Sequence, residues 1–294
     1  VEVRGQGPGR QLVVLSRLKR WRAARFDARH PFPAATWAGA RARLPLLARV
    51  PEASAQRLGQ RAWRFLHDKR LSLHPDLDPA ALDSEERLAL AAQACLLTLG
   101  WSEHEHQEAF ANVHEVLVLP DAFRRQVEEM DEAGVMHVYE DERAGETFYQ
   151  GPVVIAFPDL VESGGLDGFN VVIHEFAHKL DMGNSQDVDG FPPLPVAIAS
   201  REWHREFTAV WQDLQKRLEA GDPTPIDDYA ASHPGECFAV CCETFFSAPD
   251  RLMEAYPGLY DLLCRYFQQQ PLKWALTADN DHPAPSPATQ ESPR

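Results

Sequence analysis

No stretch of eighteen uncharged apolar residues occurs anywhere in the chain, so no segment is long and apolar enough to cross a bilayer as a helix. Cysteine is scarce, with five in 294 residues, at positions 95, 237, 241, 242 and 264. That number and irregular spacing exclude a disulfide scaffold and fit buried free thiols in a reducing, cytoplasmic compartment. The N-terminal apolar run, residues 12–15, is only four residues long and precedes the basic cluster, which is not the order of a secretory leader. Basic residues are also short, 29 against 44 acidic, for a net charge of −15. An acidic surface repels a polyanion, which argues against nucleic acid as a partner. The deficit is uneven, however. Residues 1–30 carry eight basic and two acidic residues, net +6, whereas residues 31–294 carry net −21. The argument against nucleic acid therefore applies to the acidic body and leaves the basic arm aside.

What is present is an ordinary globular composition, 44% hydrophobic and 25% charged, with length enough for a large domain and an enzyme cleft. Residues 1–35 read as a basic, unstructured extension, and residues 275–294, rich in Pro, Ser, Asp and Asn, as a disordered tail. Residues 36–274 form the predicted domain. Its first part, 36–100, is expected to be helical, broken at residues 76–79, with a helix start at Asp78 and Pro79. Three short β-branched runs follow, at 113–119, 135–139 and 152–157, and suggest a small sheet. Helical patterns then return at 169–182, 195–220, 232–246 and 252–267. Sheet first and helices after implies an α+β fold.

The chemistry is concentrated in FNVVIHEFAHKLD, residues 169–181. Residues four apart on a helix lie one turn above each other, so the His174 and His178 imidazoles can reach one metal ion. Glu175 sits about 100° round the helix from His174, placed to act on a metal-bound water as a general base. Val172, Ile173, Phe176, Ala177 and Leu180 form an apolar stripe beside them, as a buried active-site helix requires. A catalytic zinc takes three protein ligands and keeps one position for water. Asp181, Glu236 and Glu243 are the candidates for the third. Asp181 shares the histidine face one turn further on and suits a carboxylate that orients an imidazole. Glu236 and Glu243 lie seven residues apart on one face of a second helix, so either could reach the metal while the other supports it.

The run HEFAHKLD, followed by IDDYAASHPGECFAVCCETFFSAP and accompanied by RFLHDKRL, NVHEVLVLP and QGPVVIAFPDL, resembles the Mlc titration factor A family of bacterial zinc-dependent peptidases. Those are distantly similar to the catalytic domain of anthrax lethal factor. The resemblance runs from about residue 43 to residue 274, and leaves out the basic arm and the tail. It implies a mainly helical, zincin-like (gluzincin) fold with a small sheet beside the metal helix, and one zinc per chain. His174, His178 and Glu236 would be the metal ligands, Glu175 the general base, and Tyr229 the hydroxyl facing the substrate carbonyl. Local sequence agrees with Glu236. Ser232 or His233 can cap its helix, Pro234 suits the first turn, and a carboxylate there is favoured by the helix dipole. The implied activity is hydrolysis of peptides by a zinc-activated water, with aminopeptidase character. The family name offers a second expectation, that of a regulatory protein sequestering Mlc, a repressor linked to the glucose phosphotransferase system.

Several features are expected to be bystanders. Glu103, His104, Glu105 and His106 read as a solvated turn, His114 and His137 as strand histidines, and Cys237, Cys241 and Cys242 as core filling. The strand at residues 153–157 could offer an edge to an extended peptide, and residues 184–195 could form a lid over the site.

Overall fold

A computed structural model of the chain describes residues 21, 24–121, 123–130, 136–143, 145–147 and 151–274, and for the strands between 123 and 147 it describes the backbone alone. Helices dominate. The N-terminal group is α1 (Ala34–Arg43), α2 (Pro45–Ala48), α3 (Glu52–Asp68) and α4 (Ser84–Leu96). On α3 the buried residues Ala55, Leu58, Ala62 and Phe65 recur at three- and four-residue spacing and pack against α4. The latter is buried along nearly its whole length, from Leu88 to Leu96. Asp78 does accept from the Ala80 amide (2.8 Å), but only a turn forms there. The helix begins six residues later, where Asp83 and Glu86 make a reciprocal capping box that satisfies both ends of the first turn.

The stretch expected to be wholly helical also contains a strand, β1 (Arg70–Leu73). Four residues carry too little periodicity to announce a strand, and β1 exists because β2 (Glu115–Leu119) lies beside it in parallel register, Arg70 against Glu115. β2 is followed by β3 (Phe123–Met130), β4 (Met136–Arg143), β5 (Gly145–Thr147) and β6 (Val153–Ala156). The main sheet has the order β1-β2-β6-β5, parallel across its first three strands and antiparallel at β5. Of the expected β run at 135–139, the described residues 136–139 are not part of it: among the described residues β4 pairs with β3 alone, in a separate antiparallel ribbon. β6 is an interior strand, buried at all four residues and paired on both sides, which overturns the expectation that it offers an edge to a peptide. Parallel strands covered on both faces read as unbroken apolar runs, as VVIA does.

The remaining helices are α5 (Glu103–Ala109), α6 (Phe157–Glu162), α7 (Val171–Asp181), α8 (Ser200–Ala220), a 3-10 turn (Asp228–Ala231), α9 (Pro234–Ser247), α10 (Pro249–Ala255) and α11 (Pro257–Phe267). A single helix over 252–267 does not form, because Pro257 has no amide to continue α10 and starts α11 instead. The run at 103–106 is the capped first turn of α5 rather than a loop, with Ser102 and Glu105 forming the capping box. α7 lies against β5 and β6 on one side, α4 on another and α9 across it, so the helix carrying both histidines is the centre of the core.

Residues 24–29, the end of the basic arm, are helical, and Asp27 pairs with Arg64 of α3 (3.1 Å). His30 packs against His67 with ring centroids 4.1 Å apart and ring planes tilted by 43°, and its carbonyl accepts from Trp63 Nε1 (3.1 Å). The tail at 275–294 lies outside the described residues. No helix among the described residues is long and apolar enough to cross a membrane.

Candidate metal centre

Asn170 starts α7, its side-chain Oδ1 accepting from the Ile173 amide (2.9 Å). The apolar stripe of α7, Val172, Ile173, Phe176, Ala177 and Leu180, is buried, and His178 is buried with it. His174 Nε2 and His178 Nε2 are 3.1 Å apart, with ring planes at 86°.

Glu236 enters from the first turn of α9. That helix begins at His233, whose Nδ1 accepts from the Gly235 amide (3.2 Å), with Pro234 in the first position. Gly235 is demanded by packing: a Cβ there would lie 2.8 Å from the Val188 carbonyl oxygen. Glu236 Oε2 stands 2.9 Å from His174 Nε2 and 3.2 Å from His178 Nε2. The three donor atoms thus form a nearly equilateral triangle. Tetrahedral bonds of about 2.0–2.1 Å to a zinc ion set neighbouring donors about 3.3–3.4 Å apart, within a few tenths of an ångström of this triangle. The donor set of two imidazoles and one carboxylate therefore fits a small divalent cation in size and charge. Among the described residues no other group of three His, Cys, Asp or Glu side chains converges in this way.

The charges of the imidazoles and the carboxylates are coupled to one another. Burial alone would raise the Glu236 carboxyl, but the hydrogen bonds from His174 and His178 more than offset it and hold it well below the usual carboxylate range. Burial likewise pulls the His174 imidazole down, and Glu243 and Glu236 overcome that pull and lift it well above its ordinary value.

Glu243, seven residues after Glu236, does not face the triangle. Its Oε1 meets His174 Nδ1 at 2.7 Å and its Oε2 accepts from the Asn170 amide at 2.5 Å. Burial raises its carboxyl, against the pull of His174. Asp181 was expected to orient an imidazole and does not: Asp181 Oδ1 and His178 Nδ1 both lack a hydrogen-bond partner. At the last residue of α7 its carboxylate is directed to the following loop, where Oδ2 accepts from the Gly190 amide (2.8 Å). That loop, residues 184–195, is anchored rather than free. The Gly190 carbonyl accepts from Trp203 Nε1 (2.8 Å), and Val188 abuts Gly235.

Glu175 is 2% exposed and one turn before Lys179, whose Nζ donates to the Gly151 carbonyl (3.2 Å). Burial pulls the Lys179 ammonium down to about 8, while the Glu175 charge acts to raise it. Tyr229 is 41% exposed on the 3-10 turn, its ring centroid 6.2 Å from that of His174. Asp227 holds this turn by accepting from the Tyr229 amide (2.9 Å).

The bystanders sort as follows. Cys237, Cys241 and Cys242 are buried free thiols. On α5, Glu103 pairs with Arg61 (3.4 Å), and His106 Nδ1 lies 2.7 Å from Thr98 Oγ1. His114 is exposed just before β2, and His137 lies on β4 opposite Glu129. A cavity of about 500 Å³ opens beside the end of α7, between Leu180, Met182, Trp101 and Pro193, and none of the three donor residues lines it. Sequence reading missed Asn170 and Gln93, whose side chains meet at 2.6 Å behind Glu243. Asn170 carried a signal, an N-cap residue before an apolar run, and Gln93 a weaker one, a polar residue inside the apolar LALAAQACLL.

Comparison with known proteins places this geometry in context. The family model described as glucose-regulated metallo-peptidase M90 matches residues 18–268. Mlc titration factor A of Escherichia coli (strain SMS-3-5 / SECEC) is 36% identical over 236 residues, covering 78% of this chain and 84% of that protein. Its namesake from Yersinia pestis (strain Pestoides F) is 35% identical over 249 residues, covering 82% and 88%. With similarity of this depth running through the helices of both histidines and of Glu236, the chain belongs to the glucose-regulated metallo-peptidase M90 family, the family of the Mlc titration factor A proteins.

Proposed function

We propose that the chain is a zinc-dependent peptidase in which His174, His178 and Glu236 hold the ion and Glu175 serves as general base. The observation that carries this reading is the triangle of donor atoms, 2.9–3.2 Å on each side, assembled from two helices on the chain of a metallo-peptidase family member. A zinc ion held there supplies a water whose pKa is lowered toward about 7 and a Lewis acid for the carbonyl. Glu175 takes the proton from the attacking water and delivers it to the leaving amine. With an ion bound, Glu243 would accept the Nδ1 proton of His174 at the 2.7 Å contact and leave the Nε2 lone pair to the metal. Tyr229, beside His174 and open to solvent, donates its hydroxyl proton in a hydrogen bond to the developing oxyanion. Since β6 is paired on both sides, the strands available to an extended peptide are the two sheet edges, β1 and β5, each with a single partner among the described residues.

The substrates we infer are short peptides with a free amino terminus, cleaved in the cytoplasm. The acidic body, net −21 over residues 31–294, favours such cationic ends. The test is metal content together with chelator-sensitive release of chromophore from aminoacyl substrates. Glu175→Gln should retain zinc and lose about 10²–10⁴-fold in rate. A Glu175→Gln protein that hydrolyses at the wild-type rate removes the mechanism.

The name shared by the relatives supports a second reading, binding of an Mlc-like transcriptional repressor. Repressor binding unaltered by Glu175→Gln would make that role separable from hydrolysis, and no binding by the wild-type protein would exclude it.

A further inference from the structure

Behind the metal-facing atoms runs a buried chain of hydrogen bonds that the proposed chemistry does not use directly. His174 Nδ1 meets Glu243 Oε1 at 2.7 Å, and the other oxygen of that carboxylate accepts from the Asn170 backbone amide at 2.5 Å. The Asn170 side chain is engaged at both ends. Its Oδ1 accepts from the Ile173 amide (2.9 Å), and its Nδ2 donates to Gln93 Oε1 (2.6 Å) on α4. Gln93 is 1% exposed and Asn170 fully buried, so neither finds a substitute partner in water.

We propose that Gln93 and Asn170 are positioning residues for the metal site, acting through Glu243 on His174. A carboxylate on the same face of α9 as Glu236 has a competing option, which is to swing toward the donor triangle and become a ligand itself. The Asn170 amide removes that option by occupying Oε2, and leaves Oε1 with a single task at Nδ1. The amide can do this only if residue 170 keeps one backbone orientation. Gln93 secures that orientation by holding the side chain whose other end caps α7. The helix that bears the histidines, the carboxylate that orients the first of them and the core helix α4 are thereby set in one register. Partners of this kind are worth roughly 10–100-fold in metal affinity when they touch a ligand directly, and the low end, about 10-fold, is expected at Gln93, two hydrogen bonds further out.

The inference rests on the zinc reading above, and the experiment separates the two. Zinc dissociation constants are measured on the full chain, stripped of metal, by competition with a chromogenic chelator. Thermal midpoints of the metal-free proteins are recorded alongside. Gln93→Met, which removes the acceptor at similar volume, should weaken zinc about 10-fold. Gln93→Glu, which retains an acceptor for Asn170 Nδ2, should restore most of the affinity. In a Glu243→Gln background the further Gln93→Met change should cost less than about 2-fold, because its route to His174 is already broken. A purely structural Gln93 would lower the thermal midpoint and leave zinc affinity within 2-fold of wild type, or would cost the same in both backgrounds, and either result overturns the proposal. Should Gln93→Met fail to fold, Asn170→Ser decides. It keeps a side-chain cap for the Ile173 amide and is too short to reach Gln93, and unaltered affinity there is equally fatal. A wild-type chain without zinc affinity overturns the function reading and this inference with it, whereas wild-type affinity with unaffected variants overturns this inference alone.

Discussion

Glu243 Oε1 and His174 Nδ1 face each other at 2.7 Å across the packed helices α9 and α7, on the side of the imidazole turned away from Glu236. One carboxylate of α9 therefore touches each nitrogen of the same histidine. Only Glu236 also reaches His178.

Removing the rear carboxylate should damage the site without removing a donor from it. Glu243→Ala leaves His174 free to rotate and to change tautomer, and zinc affinity should fall about 10–100-fold. Chelator competition measures it, with Glu243→Gln as an intermediate. Equal affinities for all three proteins would show that the 2.7 Å contact does not orient the imidazole.

Tyr229 makes a contrasting prediction, since it stands beside the site and is not one of the donors. Tyr229→Phe should lower kcat by about 10²–10³-fold, in line with the loss of one oxyanion donor, at unchanged zinc content and thermal midpoint. A fall in KM-controlled binding with kcat preserved would give the hydroxyl a substrate-holding task instead.

Gly235 tests how the third donor is placed. An added Cβ meets the Val188 carbonyl oxygen at 2.8 Å and Val188 Cβ at 2.9 Å, both in the anchored loop. Gly235→Ala should displace either the loop or the first turn of α9, costing about 1–3 kcal/mol of stability and, through Glu236, some zinc affinity. Urea unfolding of the metal-free protein and zinc competition read the two effects separately. If both are unchanged, the loop yields freely and is not a wall of the site.

His106 gives a pH dependence away from the metal centre. Burial, with Arg61, Lys69 and Arg64 nearby, lowers its pKa from the ordinary 6.5 to about 3. Between those values the unfolded chain binds a proton that the folded chain refuses. Stability from this residue is therefore complete above about pH 7 and is lost as the pH falls through 6.5 toward 3. At 1.36 kcal/mol per unit the loss between pH 7 and pH 5 is about 2 kcal/mol. Urea midpoints at the two values should differ less for His106→Gln than for wild type, and identical differences would assign the acid sensitivity elsewhere.

The metal helix was legible in sequence because its information is local. The four-residue spacing of His174 and His178 makes one turn, and the stripe from Val172 to Leu180 says which side is buried. The α9 start at His233 and Pro234 was legible for the same reason. Glu236 was one of three candidates on spacing alone, and the family resemblance selected it, because nothing local records that α9 crosses α7 at its first turn. Asp181 shows the cost of local reasoning. Its face on the helix was read correctly, but its partner is Gly190, nine residues on in a loop whose course depends on Trp203 and α9.

By itself, then, the amino-acid sequence determined the α+β class, the histidine pair and its neighbouring glutamate, and the acidic body with its basic arm, all properties of residue order over a few turns or of composition. Only the tertiary structure decided the four-residue strand β1, the burial of β6 as an interior strand, and the line from Gln93 through Asn170 and Glu243 to His174. β1 meets β2 across 45 positions and β6 meets β2 across 37, while the bonds of that line join groups 69 to 77 positions apart. Each such bond is specified by the packing of whole helices and strands, and no short window of sequence carries it.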